Sequence, residues 1–229
     1  MLQLDQVVLT QGEFRLAADW SVAPGSRVAI IGASGEGKSS LLLAIAGFLP
    51  LARGRILWQG RDLRGAEPAA RPAAMLFQDQ NLFPHLTIAQ NLGLAVAPRG
   101  RLSAEHSVRV LAMLERLGLA DVAARRPGDL SGGQQGRAAL GRALLQTRPM
   151  LLLDEPFAAL GPALKAELLD LVADLARDVT VMMVTHNPDD ARRFADVCVL
   201  VAEGEAQPPQ PTAALFANPP QALRHYLGG

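Results

Sequence analysis

Cysteine, lysine and long apolar runs are scarce in this sequence, and each scarcity removes a class of protein. Cys198 is the one cysteine in 229 residues, so no internal disulfide can form and a reducing compartment fits. Its setting in the apolar run Val197 to Val201 reads as that of a small buried hydrophobe. Segments such as Met150 to Leu153 and Val179 to Val184 are strand-sized, well short of the roughly 18 to 20 apolar residues that span a bilayer. The opening Met1, Leu2, Gln3, Leu4, Asp5 has neither the basic region nor the apolar stretch of a secretory signal, which points to a cytoplasmic chain. Any membrane role then runs through a partner. An excess of charge is also missing: Lys+Arg and Asp+Glu are both 22, which leaves no basic footprint for nucleic acid.

What is present suffices for a sizeable core, since 49% of the residues are hydrophobic. Residues 2–9 and 14–22 read as strands of a small antiparallel N-terminal sheet with a turn at Gln11 and Gly12. Arg27 to Ile31 is a β-rich run entering a glycine loop, and Ser39 to Gly47 follows with a helical pattern. Further strands are expected at 55–59, 73–77, 150–153, 179–185 and 197–202, several with helices between them. Between 87 and 146 strand signals vanish, and helix signals begin at Thr87 and Gln90, which stand at capping-box spacing. The expectation is one α/β domain over 1–229 with a helical lobe inserted at roughly 87–146. Leu215, Phe216, Leu223 and Tyr226 in the tail are placed to pack back on the body.

The chemistry concentrates in four places. Gly32, Ala33, Ser34, Gly35, Glu36, Gly37, Lys38 and Ser39, with Ser40 after them, satisfy the phosphate-loop pattern between a strand and a helix. Its glycines let backbone amides curl around phosphate oxygens at a helix N-terminus, Lys38 reaches the β- and γ-phosphates, and Ser39 offers a hydroxyl to Mg²⁺. Only Lys38 and Lys165 are lysine, every other basic residue being arginine. A compact point charge is therefore retained where a confined phosphate calls for one. Glu36 is unfavourable beside phosphate unless it points into solvent. Met150 to Glu155 is an apolar strand ending in two carboxylates; Asp154 would hold Mg²⁺, and Glu155 would orient and deprotonate the attacking water. Leu130, Ser131, Gly132, Gly133 and Gln134 precede a helix running to about 146 and offer a second anion cradle, although a bare Ser-Gly-Gly is elsewhere an ordinary N-cap.

Together these residues resemble the ABC ATPases, with Ser131 to Gln134 matching their signature motif. The resemblance covers nearly the whole chain. It implies that Gln78, after the strand at 73–77, is the Q-loop glutamine serving Mg²⁺ and catalysis and that His186 is the switch histidine, both sensing the γ-phosphate, although either alone reads as a surface polar residue at a strand end. It also implies a head-to-tail homodimer that places Ser131 on the partner's ATP. Two positions depart from the family pattern: Gln11 stands where an aromatic ring usually meets adenine, leaving Phe14 as a substitute, and Gly161 replaces the D-loop aspartate.

Residues 45–49 and 75–93 further resemble the ATPase subunits of bacterial thiamine importers, as does the short chain. The implied partners are membrane permease subunits and, indirectly, a periplasmic solute-binding protein; Leu82, Phe83 and Leu86 read singly as core packing and as a cluster as a groove for a permease helix. The implied location is the cytoplasmic face of the inner membrane. Other readings are an importer ATPase for another small solute, a low-turnover nucleotide-binding regulatory subunit, and an ABC ATPase acting on DNA. The last is disfavoured by the absence of sustained heptads and of a basic surplus.

Overall fold

The computed structural model describes residues 1–228. β1 (Leu2–Gln11) and β2 (Phe14–Val22) alternate buried and exposed side chains, the period of strands with one wet face. β3 (Arg27–Ile31) leads through a loop to α1 (Lys38–Ala46), and β4 (Arg53–Trp58), β5 (Arg61–Asp62) and β6 (Ala73–Leu76) follow. Helices α2 (Ile88–Val96), α3 (Ala104–Arg116) and α4 (Gly132–Leu144) come next, then β7 (Met150–Asp154), α5 (Pro162–Leu175), β8 (Thr180–Val184), α6 (Pro188–Phe194) and β9 (Val197–Ala202). The chain closes with β10 (Glu205–Ala206), β11 (Gln210–Pro211), α7 (Thr212–Ala217) and α8 (Gln221–Gly228).

The parallel strands β3, β7 and β8 are apolar and buried almost throughout, because helices cover both faces of such a sheet. Their order is β9-β3-β8-β7-β6, and this sets the function. The segments leaving β3, β8, β7 and β6 emerge side by side along one carboxyl edge, spaced about 4.8 Å per strand. The N-terminal strands form an antiparallel sheet as expected, but β10 pairs with both β2 and β9 and makes it continuous with the parallel one. β10 has two residues, too few to carry a period. β6 stops at Leu76 and β4 runs over 53–58, small shifts from the strand ends read in the sequence.

Helices α2, α3 and α4 bury Ile88, Leu92, Val110, Leu114 and Ala138 in an apolar cluster of their own. Thr87 and Gln90 close the capping box that starts α2. At the tail, Leu215 and Leu223 are buried in the core cluster that also holds Cys198.

Helix α1 sits between the sheets with Leu41, Leu42 and Ile45 fully buried, so its C-terminal carbonyls have little access to water. Arg71, itself buried, donates from Nη1 to the carbonyls of Ala44 and Ile45 at 2.9 Å each. A cation at a helix C-terminus also complements the dipole. Arg71→Met keeps the stem and removes the donors, leaving the Ile45 carbonyl without this partner. The expected loss is about 2–3 kcal/mol of unfolding free energy, read by chemical denaturation; an unchanged midpoint would show that water replaces the guanidinium.

Candidate functional site

The loop after β3 is shaped by close approach. A side chain at Gly32, where φ is 148°, would place its Cβ 2.1 Å from the Val201 carbonyl oxygen, and one at Gly37, where φ is 94°, would meet the Phe14 ring at 2.2 Å. Only glycine fits at either position. The loop curls so that Lys38, 6% exposed, folds its ammonium back onto the carbonyls of Gly32 at 2.9 Å and Ala33 at 2.6 Å. Burial lowers the Lys38 pKa, opposed by the charges of Glu155, Glu36 and Asp154. Glu36 does not stand clear in solvent as its chemistry led one to expect; it is half-buried, and it forms no ion pair with Lys38 among the described residues.

Ser39 donates its hydroxyl to Asp154 Oδ1 at 2.7 Å. This bond joins the start of α1 to the end of β7. Burial raises the Asp154 pKa and Glu155 adds to it, while the Ser39 hydrogen bond and Lys38 act the other way. No group of three or more His, Cys, Asp or Glu fit to hold a metal occurs among the described residues. A serine hydroxyl beside one carboxylate nevertheless fits Mg²⁺, which completes its octahedron with water and substrate phosphates.

Glu155 turns sharply away from β7, with φ at 44° and its N–H donating to the Val184 carbonyl at 3.1 Å. A non-glycine residue in this region costs of order 1 kcal/mol, and the turn carries its carboxylate to His186, with Oε2 3.0 Å from Nδ1. The carboxyl edge thus brings Lys38, Ser39, Asp154, Glu155 and His186 together. Gln78 is exposed two residues beyond β6, on the same edge, and forms no hydrogen bond to that cluster among the described residues.

Ser131 is the N-cap of α4: its Oγ accepts from the Gln134 amide at 3.3 Å, and the Gln134 side chain accepts from the Ser131 amide at 3.0 Å. Ser131 and Gly132 are exposed. Gly132 and Gly133 face Leu160 and Leu164, so the signature segment abuts the stretch after Glu155, with no hydrogen bond from 131–134 to the phosphate loop of its own chain among the described residues. Gly161 caps α5 without a side-chain bond. Gln11 is exposed, and the ring of Phe14 is committed to Gly37. Of the apolar trio, Phe83 is exposed and lies under the Arg142 guanidinium, 5.6 Å from the ring centre, whereas Leu82 packs inward.

Sequence reasoning missed the network Lys165–Asp190–Thr185, where Asp190 Oδ2 accepts from Lys165 at 3.1 Å and from Thr185 at 2.9 Å. The available signal was Lys165 itself, a lysine in an arginine-rich chain.

A strand, glycine loop and helix facing paired carboxylates define a phosphate-loop nucleotide-binding protein. The family described as ABC transporter matches residues 17–158, and the chain belongs to it. The Thiamine import ATP-binding protein ThiQ of Cereibacter sphaeroides is 62% identical over 100% of both chains, and that of Ruegeria sp. is 55% identical over 100% of both. Among solved structures, a nucleotide-free ATP-binding cassette from an ABC transporter aligns with TM-score 0.88, 26% identity, and 100% and 99% coverage of this chain and that one. The dimeric post-hydrolysis state of the ATP-binding cassette MJ0796 bound to ADP and Pi aligns with TM-score 0.79, 28% identity, and 93% and 99% coverage.

Removing the buried ammonium tests the loop. Lys38→Ala is expected to weaken ATP binding about tenfold or more, the loss of a charge-assisted contact to phosphate. Titration calorimetry reads it, and parental affinity would remove Lys38 from the phosphate site.

Proposed function

We propose that this chain hydrolyses ATP to drive a membrane importer of thiamine or a thiamine phosphate, working as a pair of identical subunits against permease subunits. The observation that carries the hydrolytic reading is the Glu155–His186 contact of 3.0 Å next to the Ser39–Asp154 bond. The identity to thiamine-import ATP-binding proteins over the full chain supports the substrate.

Amides of residues 32–40 and the Lys38 ammonium bind the β- and γ-phosphates. Ser39 and Asp154 would hold Mg²⁺, with Gln78 as a further ligand, and the ion would neutralise phosphate charge. Glu155 accepts a proton from water as its oxygen attacks the γ-phosphorus and the bond to the β-phosphate oxygen breaks. His186 orients that carboxylate. Ser131, Gly132, Gly133 and Gln134 offer the N-terminus of α4 to the γ-phosphate held by the partner, which fits the exposure of Ser131 and Gly132 and the separation of the segment from its own phosphate loop. With Gln11 in place of a ring and Gly161 in place of a carboxylate, adenine stacking and communication between the two sites are weak, and the permease compensates by holding the subunits together.

No helix among the described residues is long and apolar enough to cross a membrane. Attachment is through the permease, at the cytoplasmic face of the inner membrane, as an importer ATPase requires. Exposed Phe83 and the groove beside it, lined by Phe77, Leu94 and Arg142, receive an amphipathic permease helix. Residues 87–146 form the helical lobe that borders this groove. The periplasmic solute-binding protein acts indirectly, across the membrane, and nucleic acid has no part.

Glu155→Gln keeps size and removes the base. It should bind ATP, lose about 10²-fold or more of its turnover, and dimerise with Mg-ATP but not ADP by light scattering, since uncleaved ATP favours the closed pair. Parental turnover would refute the base; a monomer at saturating ATP, both alone and within the transporter, would refute the closed pair. For the cargo, the reconstituted transporter should hydrolyse ATP faster with thiamine-loaded than with empty binding protein. Stimulation by another solute's binding protein, with none by the thiamine-loaded one, would reassign the substrate.

A further inference from the structure

Tyr226 is the one tyrosine in the chain, and its hydroxyl donates to the carbonyl oxygen of His186. The residues flanking His186 are secured independently. Thr185 donates its N–H to the Ile30 carbonyl at 3.2 Å and its hydroxyl to Asp190 at 2.9 Å, and the Asn187 N–H returns to Thr185 Oγ1 at 3.0 Å. His186 itself has an exposed ring, and its carbonyl has no hydrogen-bond partner but Tyr226 among the described residues. The peptide unit from His186 to Asn187 is rigid and rotates as a plane. Freeing that plane lets φ and ψ at His186 readjust together, and rotation about φ swings an imidazole whose Nδ1 lies 3.0 Å from Glu155 Oε2.

Helix α8 delivers the phenol to this carbonyl. Leu223, three residues earlier and so on the same helix face, is fully buried and anchors the helix to the core. Burial first, then the charges of Glu155 and Asp190, push the Tyr226 pKa up to about 12, so the hydroxyl keeps its proton at any working pH.

We propose that Tyr226 is a positioning residue for hydrolysis, its hydroxyl holding the His186 carbonyl and thereby aiming the imidazole at Glu155. The proposal rests on the reading of Glu155 and His186 as the hydrolytic pair.

Tyr226→Phe keeps the packing ring and removes only the hydrogen bond. In the full-length chain assembled with its membrane partners, kcat should fall about fivefold, the factor an ordinary neutral hydrogen bond converts to. KM for ATP should stay within about twofold, because ATP binding is untouched. In histidine-labelled full-length chain, the ring resonance of His186, assigned by its absence in His186→Ala, should shift while those of His85 and His106 hold. A parental kcat in Tyr226→Phe, or a loss confined to KM with the His186 resonance unmoved, overturns the positioning role and leaves the hydrolytic pair standing. A parental kcat in His186→Ala overturns the pair, and the positioning role with it.

Discussion

A cation buried at the carboxyl edge of a parallel sheet is the condition on which the rest of this structure turns. The Lys38 ammonium is desolvated, and an unpartnered buried charge would cost several kcal/mol. The chain meets that demand with the carbonyls of Gly32 and Ala33 and with the nearby carboxylates of Asp154 and Glu155. Both solutions constrain the fold. Carbonyls reach the ammonium only if the loop curls tightly, which excludes side chains at positions 32 and 37. Carboxylates come near it only if no more than one strand separates β7 from β3, the place the order β3-β8-β7 provides. The ammonium's direct hydrogen-bond partners are two neutral carbonyls, so an anion that displaced them would make the stronger, charge-assisted contact.

That account also explains what could be read from the amino-acid sequence. The buried strands announce themselves as short apolar runs, and Asp154 and Glu155 stand out because two acids end one of them. The glycine loop is legible because its spacing is dictated by local backbone geometry. The contact of Phe14 with Gly37, the bridge through β10, and the bonds of Arg71 to α1 join residues distant in sequence, and pairwise contacts of that kind leave no period to detect. Glu36 shows the limit of local chemistry: a carboxylate near phosphate is expected in solvent, yet packing leaves it half-buried.

The division of labour between arginine and lysine follows the same physics. Arginine serves where a planar fork must gather carbonyls: Arg71 at the end of α1, and Arg142, whose guanidinium donates to the carbonyls of Asn81 at 2.7 Å and Gln80 at 3.2 Å. The two lysines occupy confined sites where a single ammonium meets oxygens, Lys38 in the phosphate loop and Lys165 against Asp190, a pair with both side chains 12% exposed. A forked guanidinium at position 38 would need more acceptors than two carbonyls supply.

Arg142 also decides how the parts are mechanically joined. It stands on α4, the helix whose N-cap is Ser131, and it grips the segment that follows Gln78. The same helix packs through Gly133 and Gly136 on Leu164 and Leu168 of α5, which starts just after the Glu155 turn. One rigid rod therefore touches the segment 131–134, the Gln78 loop and the helix leading from the Glu155 turn. The Leu164 and Leu168 side chains seat where Gly133 and Gly136 leave room for them, so α4 and α5 are keyed together. A displacement of α4 would therefore carry Ser131 at its N-cap, the Gln78 loop gripped by Arg142, and α5 together. Coupling between these parts then runs through contacts that α4 itself makes.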